Sequence, residues 1–138
     1  DSRLLLEAIA LEAGDRFLEV GTGTGIVALH AARRTRVVAT DANRQAVALA
    51  RANARRNHAD LAVVWTHLAA GVRGPFDVVA FNPPYLEGRP TDGLDRAWAG
   101  GHEGSEVTLG FLADLPRLMA PGGRAYLLLS AANRDAVA

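Results

Sequence analysis

The sequence predicts an α/β fold, a doubly wound and mostly parallel sheet. Short runs rich in valine, leucine and phenylalanine alternate along the chain with longer segments whose apolar residues recur at helical spacing. A tight glycine turn joins the first run to a helix, and a carboxylate or an amide ends two of the later runs. Because crossovers between parallel strands are right-handed, we expect the strand order 3-2-1-4-5, with a site at the carboxyl ends of the strands.

Composition limits the classes of protein to consider. The chain has 138 residues, 49% of them hydrophobic, so we expect one domain with one core over residues 1–138. The formal net charge is zero, which disfavours a large nucleic-acid footprint. Cysteine is absent, which removes disulfides, thiolate chemistry and the usual zinc sites, and we expect no metal. Apolar runs too short to span a membrane make a cytoplasmic protein the default.

The first elements lead to the glycine turn. Ser2 precedes a leucine-rich stretch and is predicted as the N-cap of a helix that ends at Gly14. Arg16 to Val20 is predicted as the first strand and Ile26 to Arg34 as the helix after the turn Gly21-Thr22-Gly23-Thr24-Gly25. Glycines allow a tight turn and a close approach of backbone to a ligand, although any strand-to-helix turn can use them.

A second predicted strand, Arg36 to Thr40, ends at Asp41. Nucleoside-binding α/β folds place an acidic residue on the ribose hydroxyls about 20 residues beyond the first glycine. Glu19 adds a second carboxylate at the mouth of the first strand. The simpler interpretation of Asp41, an N-cap for the helix from Arg44 to Asn57, is compatible with binding. That helix should bury Ala46, Val47, Leu49, Ala50 and Ala54.

Three further strands are predicted in the second half of the chain. They run from Leu61 to Thr66, from Asp77 to Asn82 and from Arg124 to Ser130. A helix from Ser105 onward should precede the last of them, kinked or split at Pro116.

The fourth strand stops at Phe81-Asn82-Pro83-Pro84-Tyr85. Each proline fixes its own φ and restricts the residue before it, so Asn82 and the Pro83 carbonyl are held in one extended arrangement. The turn offers acceptors and few donors, which suits a planar NH₂ group. Two acceptors on its hydrogens would orient the nitrogen toward an electrophile, and Tyr85 would cover its flat face. The alternative is a strand terminator followed by a buried tyrosine.

The long polar connection from Leu86 to Glu103 contains Trp98, Gly100 and Gly101. Connections of this length in a compact domain are usually functional or disordered. Two interpretations stay open, a wall on the substrate side of a site and a tryptophan that pins the loop to the core.

Together these motifs resemble a known family. Leu18 to Gly25, Asp41 and the turn Asn82-Pro83-Pro84-Tyr85 are similar to the class I S-adenosylmethionine-dependent methyltransferases, which have a Rossmann-like fold and modify planar nitrogens. More narrowly, the chain resembles the HemK/PrmC-type protein-(glutamine-N5) methyltransferases, in the small branch that lacks an N-terminal domain. Asp1 to Leu6 and Ala97 to Gly101 support that branch.

The resemblance implies S-adenosyl-L-methionine as the cofactor. Its methionine part would lie on Glu19 and the glycine turn, its ribose on Asp41 and its adenine near Leu68, with Ser2 closing the pocket. His67 stands where the family usually has an acidic residue that accepts from the adenine amino group, and a histidine accepts only as the neutral tautomer. The implied cofactor-binding residues are Ser2, Glu19, Gly21, Thr22, Gly23, Gly25, Asp41, His67, Leu68 and Asn82.

The resemblance also implies in-line transfer without a covalent intermediate. The catalytic residues would be Asn82, Pro83, Pro84 and Tyr85, with Trp98, Gly100 and Gly101 on the substrate side. The methyl acceptor would be a glutamine of a translation release factor, in its Gly-Gly-Gln loop. The family suggests a small zinc-binding activator subunit as a further partner. Relatives continue after the fifth strand with a helix and two antiparallel strands, so we expect a core trimmed at both ends.

Two alternative functions stay open. The proline turn is shared with enzymes that methylate adenine or guanine amino groups in DNA or RNA, although the neutral charge counts against them. A non-catalytic scaffold of the same fold is motivated by His67 and the chain length. An NAD-binding oxidoreductase is disfavoured, because Ile26 stands where that fingerprint has its third glycine.

Overall fold

The computed structural model describes residues 1–83 and 105–129, which form a five-stranded sheet with helices on both faces. All neighbouring strands run parallel in the order β3-β2-β1-β4-β5, which confirms the predicted fold class and strand order. Over these residues, every helix is too short or too polar to cross a membrane. The elements are α1 (Ser2–Ala8), β1 (Arg16–Val20), α2 (Ile26–Ala31), β2 (Arg36–Asp41), α3 (Arg44–Arg56), β3 (Leu61–Trp65), β4 (Phe76–Phe81), α4 (Ser105–Leu118) and β5 (Met119–Leu127).

Successive residues of β1 enter two hydrophobic cores, one on each face of the sheet. Phe17 lies in a cluster with residues of α1, α2 and α3, whereas Leu18 lies in a cluster with residues of α4. Both side chains are fully buried, as expected for a central parallel strand that helices cover on both sides. The centre of the sheet is therefore fixed from above and below.

The core also holds the point at which β4 leaves the sheet. Phe81 is the last residue of β4 and directly precedes Asn82. Its ring centroid lies 4.8 Å from that of Phe111 in α4, with the rings tilted by 45°, and both side chains are buried. This aromatic contact ties the end of β4 to α4.

The first helix is shorter than the sequence predicted. α1 stops before Ile9, which is extended (φ −71°, ψ 120°), instead of reaching Gly14. The next residue, Ala10, is held by β5: its N–H donates to the Tyr126 hydroxyl (3.2 Å) and its carbonyl accepts from Arg124 (3.0 Å). These tertiary contacts outweigh the helical pattern of the leucines.

Two helix caps also differ from expectation. Ser2 is the first residue of α1, and the N-cap position falls on Asp1. The cap of α3 is Asn43, whose side chain accepts from the Gln45 N–H, so Asp41 does not serve as that cap. Asp41 instead binds backbone N–H groups on both sides of it, as described below.

α4 is not split at Pro116, one of the two predicted outcomes. The helix begins at Ser105, as predicted, and continues through Pro116 to its last residue. Its final turn is fastened by Arg117, which donates to the carbonyls of Ala69 and Val72 (both 2.8 Å). We attribute the continuity to these bonds, because they hold the turn that the missing proline N–H weakens.

Other boundaries move by a few residues. α2 stops at Ala31 instead of Arg34. β5 begins at Met119, which pairs with Phe76, and after a register shift its regular pairing starts at Arg124, the predicted first residue. Leu49 of α3 is 47% exposed and does not face the core.

Replacing Phe111 with alanine should lower the free energy of unfolding by about 3–5 kcal/mol, because it removes a fully buried ring and leaves a cavity against Phe81. The matched control is Leu109→Ala in the same helix, which removes a half-exposed side chain and should cost less than about 1 kcal/mol. Urea unfolding followed by circular dichroism measures both variants. Equal losses would contradict the packing of α4 on β4.

Candidate functional site

Three turns leave the carboxyl edge of the sheet side by side. The last residue of β1 lies opposite Thr40 of β2 on one side and opposite the last residue of β4 on the other. The residues that directly follow these three paired positions are Gly21, Asp41 and Asn82. A Cβ on Gly21 would lie 3.3 Å from the Phe81 ring and 3.7 Å from the Asn82 carbonyl oxygen. The glycine turn and the first residue of the proline turn are therefore neighbours.

The glycine turn has a backbone that other residues rarely adopt. Gly21, Gly23 and Gly25 have φ values of 70°, 57° and 84°. At Gly25, a Cβ would lie 3.1 Å from the Cβ of Ala50, so the turn is pressed against α3. At Gly23, a Cβ would have no atom of the described residues within 4 Å. The turn is thus tight on the side of α3 and open at Gly23, where a ligand can approach the backbone.

Glu19 lies beneath the turn and ties it to α2. The residue is 3% exposed, and its Oε2 accepts from the Thr22 hydroxyl (2.7 Å) and from the Ala28 N–H (3.0 Å). Burial raises the pKa of Glu19 to about 8; the two hydrogen bonds oppose this rise, and the charge of Asp41 adds to it. A single carboxyl oxygen therefore holds the turn and the helix that follows it.

Asp41 holds the turn from the other side. The residue is 6% exposed, its Oδ2 accepts from the Gly23 N–H and its Oδ1 accepts from the Asn43 N–H, each at 2.9 Å. Because each carboxylate oxygen has two lone pairs, both oxygens can accept a further hydrogen bond. Asp41 therefore supports the turn and keeps acceptor capacity for a ligand that carries hydroxyl groups.

Asn82 contains a polar atom without a partner. Within residues 1–83 and 105–129, its Oδ1 is buried and accepts no hydrogen bond. Leaving a buried acceptor unpaired costs about 1–3 kcal/mol, so native folds contain few such atoms. The other buried side-chain atom without a partner among those residues is Nε of Arg124. The guanidinium of Arg124 contacts Asp15, which precedes β1. At the carboxyl edge of the sheet, the Oδ1 of Asn82 is thus available to accept a hydrogen bond from a ligand.

The segment after β3 lies on the other side of β2. Thr40, which is fully buried, donates its hydroxyl to the Leu68 carbonyl at 2.7 Å. Leu68 has a left-handed backbone (φ 48°), and its side chain lies beside Gly110 of α4. His67 is exposed, and its backbone carbonyl accepts from the Ala70 N–H. These residues border Asp41 along β2.

Ser2 and five other predicted site residues are not among those described above. Ser2 opens α1, which joins α2 in the core through Leu5 and Val27. The predicted residues Pro84, Tyr85, Trp98, Gly100 and Gly101 lie outside the described residues. In the described part of the chain, no cluster of His, Cys, Asp or Glu is placed to hold a metal ion.

Sequence reasoning missed two residues that support the site. Thr40 fastens Leu68, and Asn53 of α3 donates from its side chain to the Thr24 carbonyl (2.8 Å). A threonine at the end of an apolar strand, next to an acidic residue, is a signal that could have singled out Thr40. An asparagine on a helix is usually solvated, so Asn53 gave no such signal.

Comparison with known proteins identifies the family. Residues 1–131 match the family model described as "Methyltransferase small domain". The chain belongs to this methyltransferase family. Membership confirms the predicted enzyme class, a methyltransferase dependent on S-adenosyl-L-methionine.

Two relatives of the chain are named as protein glutamine methyltransferases. A Methanocaldococcus jannaschii protein, provisionally named a protein N5-glutamine methyltransferase, is 35% identical over 136 positions, which cover 94% of this chain and 69% of the relative. The release factor glutamine methyltransferase of Deinococcus radiodurans is 36% identical over 151 positions, 98% of this chain and 52% of the relative. These matches confirm the resemblance to HemK/PrmC-type enzymes.

A solved structure agrees with the fold. The crystal structure of a Pyrococcus furiosus methyltransferase superposes with a TM-score of 0.75 at 29% identity, over 94% of this chain and 62% of that one. This methyltransferase domain thus spans about half to about two thirds of the length of the relatives named here.

The stability of the methyltransferase domain should depend on pH through Glu19. Its folded pKa of about 8 lies above the ordinary value of 4.5 expected in the unfolded chain. The contribution of Glu19 to the free energy of unfolding is therefore full below about pH 4.5 and is lost as the pH rises toward about 8. Glu19→Gln, which resembles the protonated carboxyl, should be less sensitive to pH over this range, as measured by urea unfolding.

The exposed residue Glu12 provides the control. Glu12→Gln should keep the pH dependence of the wild type, because the change lies outside the core. Parallel stability profiles for Glu19→Gln and the wild type would show that Glu19 does not titrate in this way.

Proposed function

We propose that this chain methylates the side-chain amide nitrogen of a protein glutamine, with a translation release factor as the first candidate substrate. The observation that supports the proposal is the buried, unpaired Oδ1 of Asn82, a residue whose backbone carbonyl lies beside the glycine turn. A primary amide offers two N–H donors on a planar nitrogen, which suits a neutral acceptor. The relatives named as protein glutamine methyltransferases favour an amide over a nucleobase.

The carboxyl edge of the sheet fits the cofactor. The open backbone at Gly23 can receive the methionine part, and Asp41 has lone pairs for the ribose hydroxyls. The buried carboxyl of Asp41 suits a molecule that carries a sulfonium and an ammonium charge, and a nearby positive charge would favour the ionised form of Glu19. When bound, S-adenosylmethionine supplies an electrophilic methyl group. Because the Thr22 hydroxyl already donates to Glu19, we assign to it a supporting role.

The proline turn would act on the acceptor nitrogen. The Asn82 Oδ1 and the Pro83 carbonyl would each accept one amide hydrogen, which fixes the plane of the group and directs the nitrogen into the crevice. Pro83 is buried, so this corner also excludes water. The nitrogen becomes acidic only as it gains the methyl group, and a strong base is not needed. Pro84 and Tyr85 would complete the turn.

Further parts of the proposal come from the family resemblance. Ser2, His67 and Leu68 would border the cofactor. The side chain of His67 is exposed, and it would accept a hydrogen bond from the cofactor only in its neutral form. Trp98, Gly100 and Gly101 would form the wall on the substrate side. A small zinc-binding activator subunit and a cytoplasmic location belong to the same proposal.

Asn82→Ala should reduce methyl transfer by about 10²–10³-fold, because it removes one of the two acceptors that orient the amide. The affinity for S-adenosylhomocysteine should fall much less, since the glycine turn and Asp41 are untouched. Transfer of a labelled methyl group to a release factor, by the complete protein, measures the first effect. Isothermal titration calorimetry measures the second.

Two controls sharpen this experiment. Asn57→Ala removes an exposed asparagine at the end of α3 and should change neither quantity. A release factor whose Gly-Gly-Gln glutamine is changed to alanine should take up no label. Label on both factors, on neither, or on added RNA instead would refute the proposal.

A further inference from the structure

Thr40 is attached to both sides of the proposed cofactor site. Its carbonyl accepts from the Thr22 N–H at 2.9 Å, which fastens the glycine turn to β2. Its hydroxyl donates to the Leu68 carbonyl at 2.7 Å, which fastens the segment after β3. The residue is fully buried, so neither bond competes with water.

The Leu68 segment needs an external restraint. Leu68 has φ 48°, a left-handed conformation that is unfavourable for any residue with a Cβ. Such a backbone persists where the surroundings enforce it. The nearby bonds from Ala70 to His67 and from Gly71 to Thr66 lie within the segment and do not attach it to the sheet.

One backbone bond and two side chains attach the segment to the rest of the fold. At its start, the Thr66 N–H donates to the Asp41 carbonyl at 3.0 Å. From α4, Arg117 donates to the Ala69 carbonyl at 2.8 Å. From β2, Thr40 donates to Leu68, and the residue next to Thr40 is Asp41. The Thr40 hydroxyl therefore holds Leu68, two residues after Thr66, to the strand whose last residue carries the carboxylate proposed for the ribose.

We propose that Thr40 is a positioning residue for the nucleoside half of the cofactor. It acts through Leu68, by holding the adenine side of the pocket at a fixed place relative to Asp41, and it does not touch the cofactor itself. This inference rests on the proposed function, because it takes Leu68 as the adenine side of the site.

The test uses substitutions that separate the hydroxyl from the shape of the side chain. Thr40→Val keeps the size and β-branching but removes the hydroxyl, and its backbone carbonyl still accepts from Thr22. Thr40→Ser keeps the hydroxyl. The matched control is Thr35→Val: Thr35 is 9% exposed, and its hydroxyl donates to the Ala31 carbonyl, also at 2.7 Å, just before β2 begins.

Binding of S-adenosylhomocysteine to the complete protein is measured by calorimetry. Thr40→Val should raise the Kd about tenfold, the scale of one buried hydrogen bond, whereas Thr40→Ser should stay within about threefold of the wild type. Thr35→Val should leave the Kd unchanged although it loses a similar bond. The affinity for 5′-methylthioadenosine, which lacks the amino-acid part, should fall by the same factor in Thr40→Val.

Amide hydrogen exchange gives a readout without ligand. The N–H groups of Ala69 and Ala70 should exchange faster in Thr40→Val than in Thr35→Val, because the segment has lost its bond to β2. If Thr40→Val does not fold, Thr40→Ala also removes the hydroxyl and is held to the same expectations.

The outcomes distinguish this inference from the proposed function. Wild-type protein that binds no S-adenosylhomocysteine would overturn both. Wild-type binding together with unchanged affinity in the hydroxyl-free variants, or an equal loss in Thr35→Val, would overturn the role of Thr40 alone. A loss confined to S-adenosylhomocysteine, with 5′-methylthioadenosine unaffected, would also overturn it.

Discussion

The register of β1 is the constraint on which the site depends. Phe17 and Leu18 enter opposite cores, so a slip of one residue would exchange them and turn Glu19 away from α2. Packing on both faces forbids that slip. Because β2 and β4 pair with β1 at one level, the same packing also brings the glycine turn, Asp41 and Asn82 together. The site thus inherits its geometry from the core and does not depend on loop contacts alone.

The two buried carboxyls show how stability and function compete at this edge. Glu19 and Asp41 are both nearly inaccessible to solvent, and the charge of one raises the pKa of the other. Hydrogen bonds from the turn and from neighbouring backbone compensate part of the cost of burying them. A cationic ligand would reduce their mutual repulsion. We therefore infer that burying the two carboxyls together destabilises this part of the fold, and that binding of a positively charged cofactor offsets the cost.

How much the sequence reveals depends on how local each interaction is. The strands, their order, the glycine turn and Asp41 were predictable, because hydrophobic period and turn chemistry are properties of neighbouring residues. The end of α1 was not, since Tyr126 lies more than a hundred positions from the Ala10 N–H to which it binds. The same holds for the bond from Thr40 to Leu68, because the pattern of hydrophobic residues does not predict the left-handed backbone of Leu68. Sequence finds groups that can bind a ligand, but not the contacts that hold them in place.

Covalent chemistry explains why the acceptor on Asn82 stays unpaired. An asparagine in a turn usually bonds its own side-chain oxygen to the backbone N–H two residues on. In this chain that position is Pro84, and the position between is Pro83, so neither neighbour has an N–H to give. Neither of the two following residues can therefore donate to this oxygen, and its donor must come from elsewhere. An aspartate here would bring a further buried charge to the edge that already holds Asp41, whereas a neutral amide oxygen can accept from a neutral substrate amide without adding a charge to this edge.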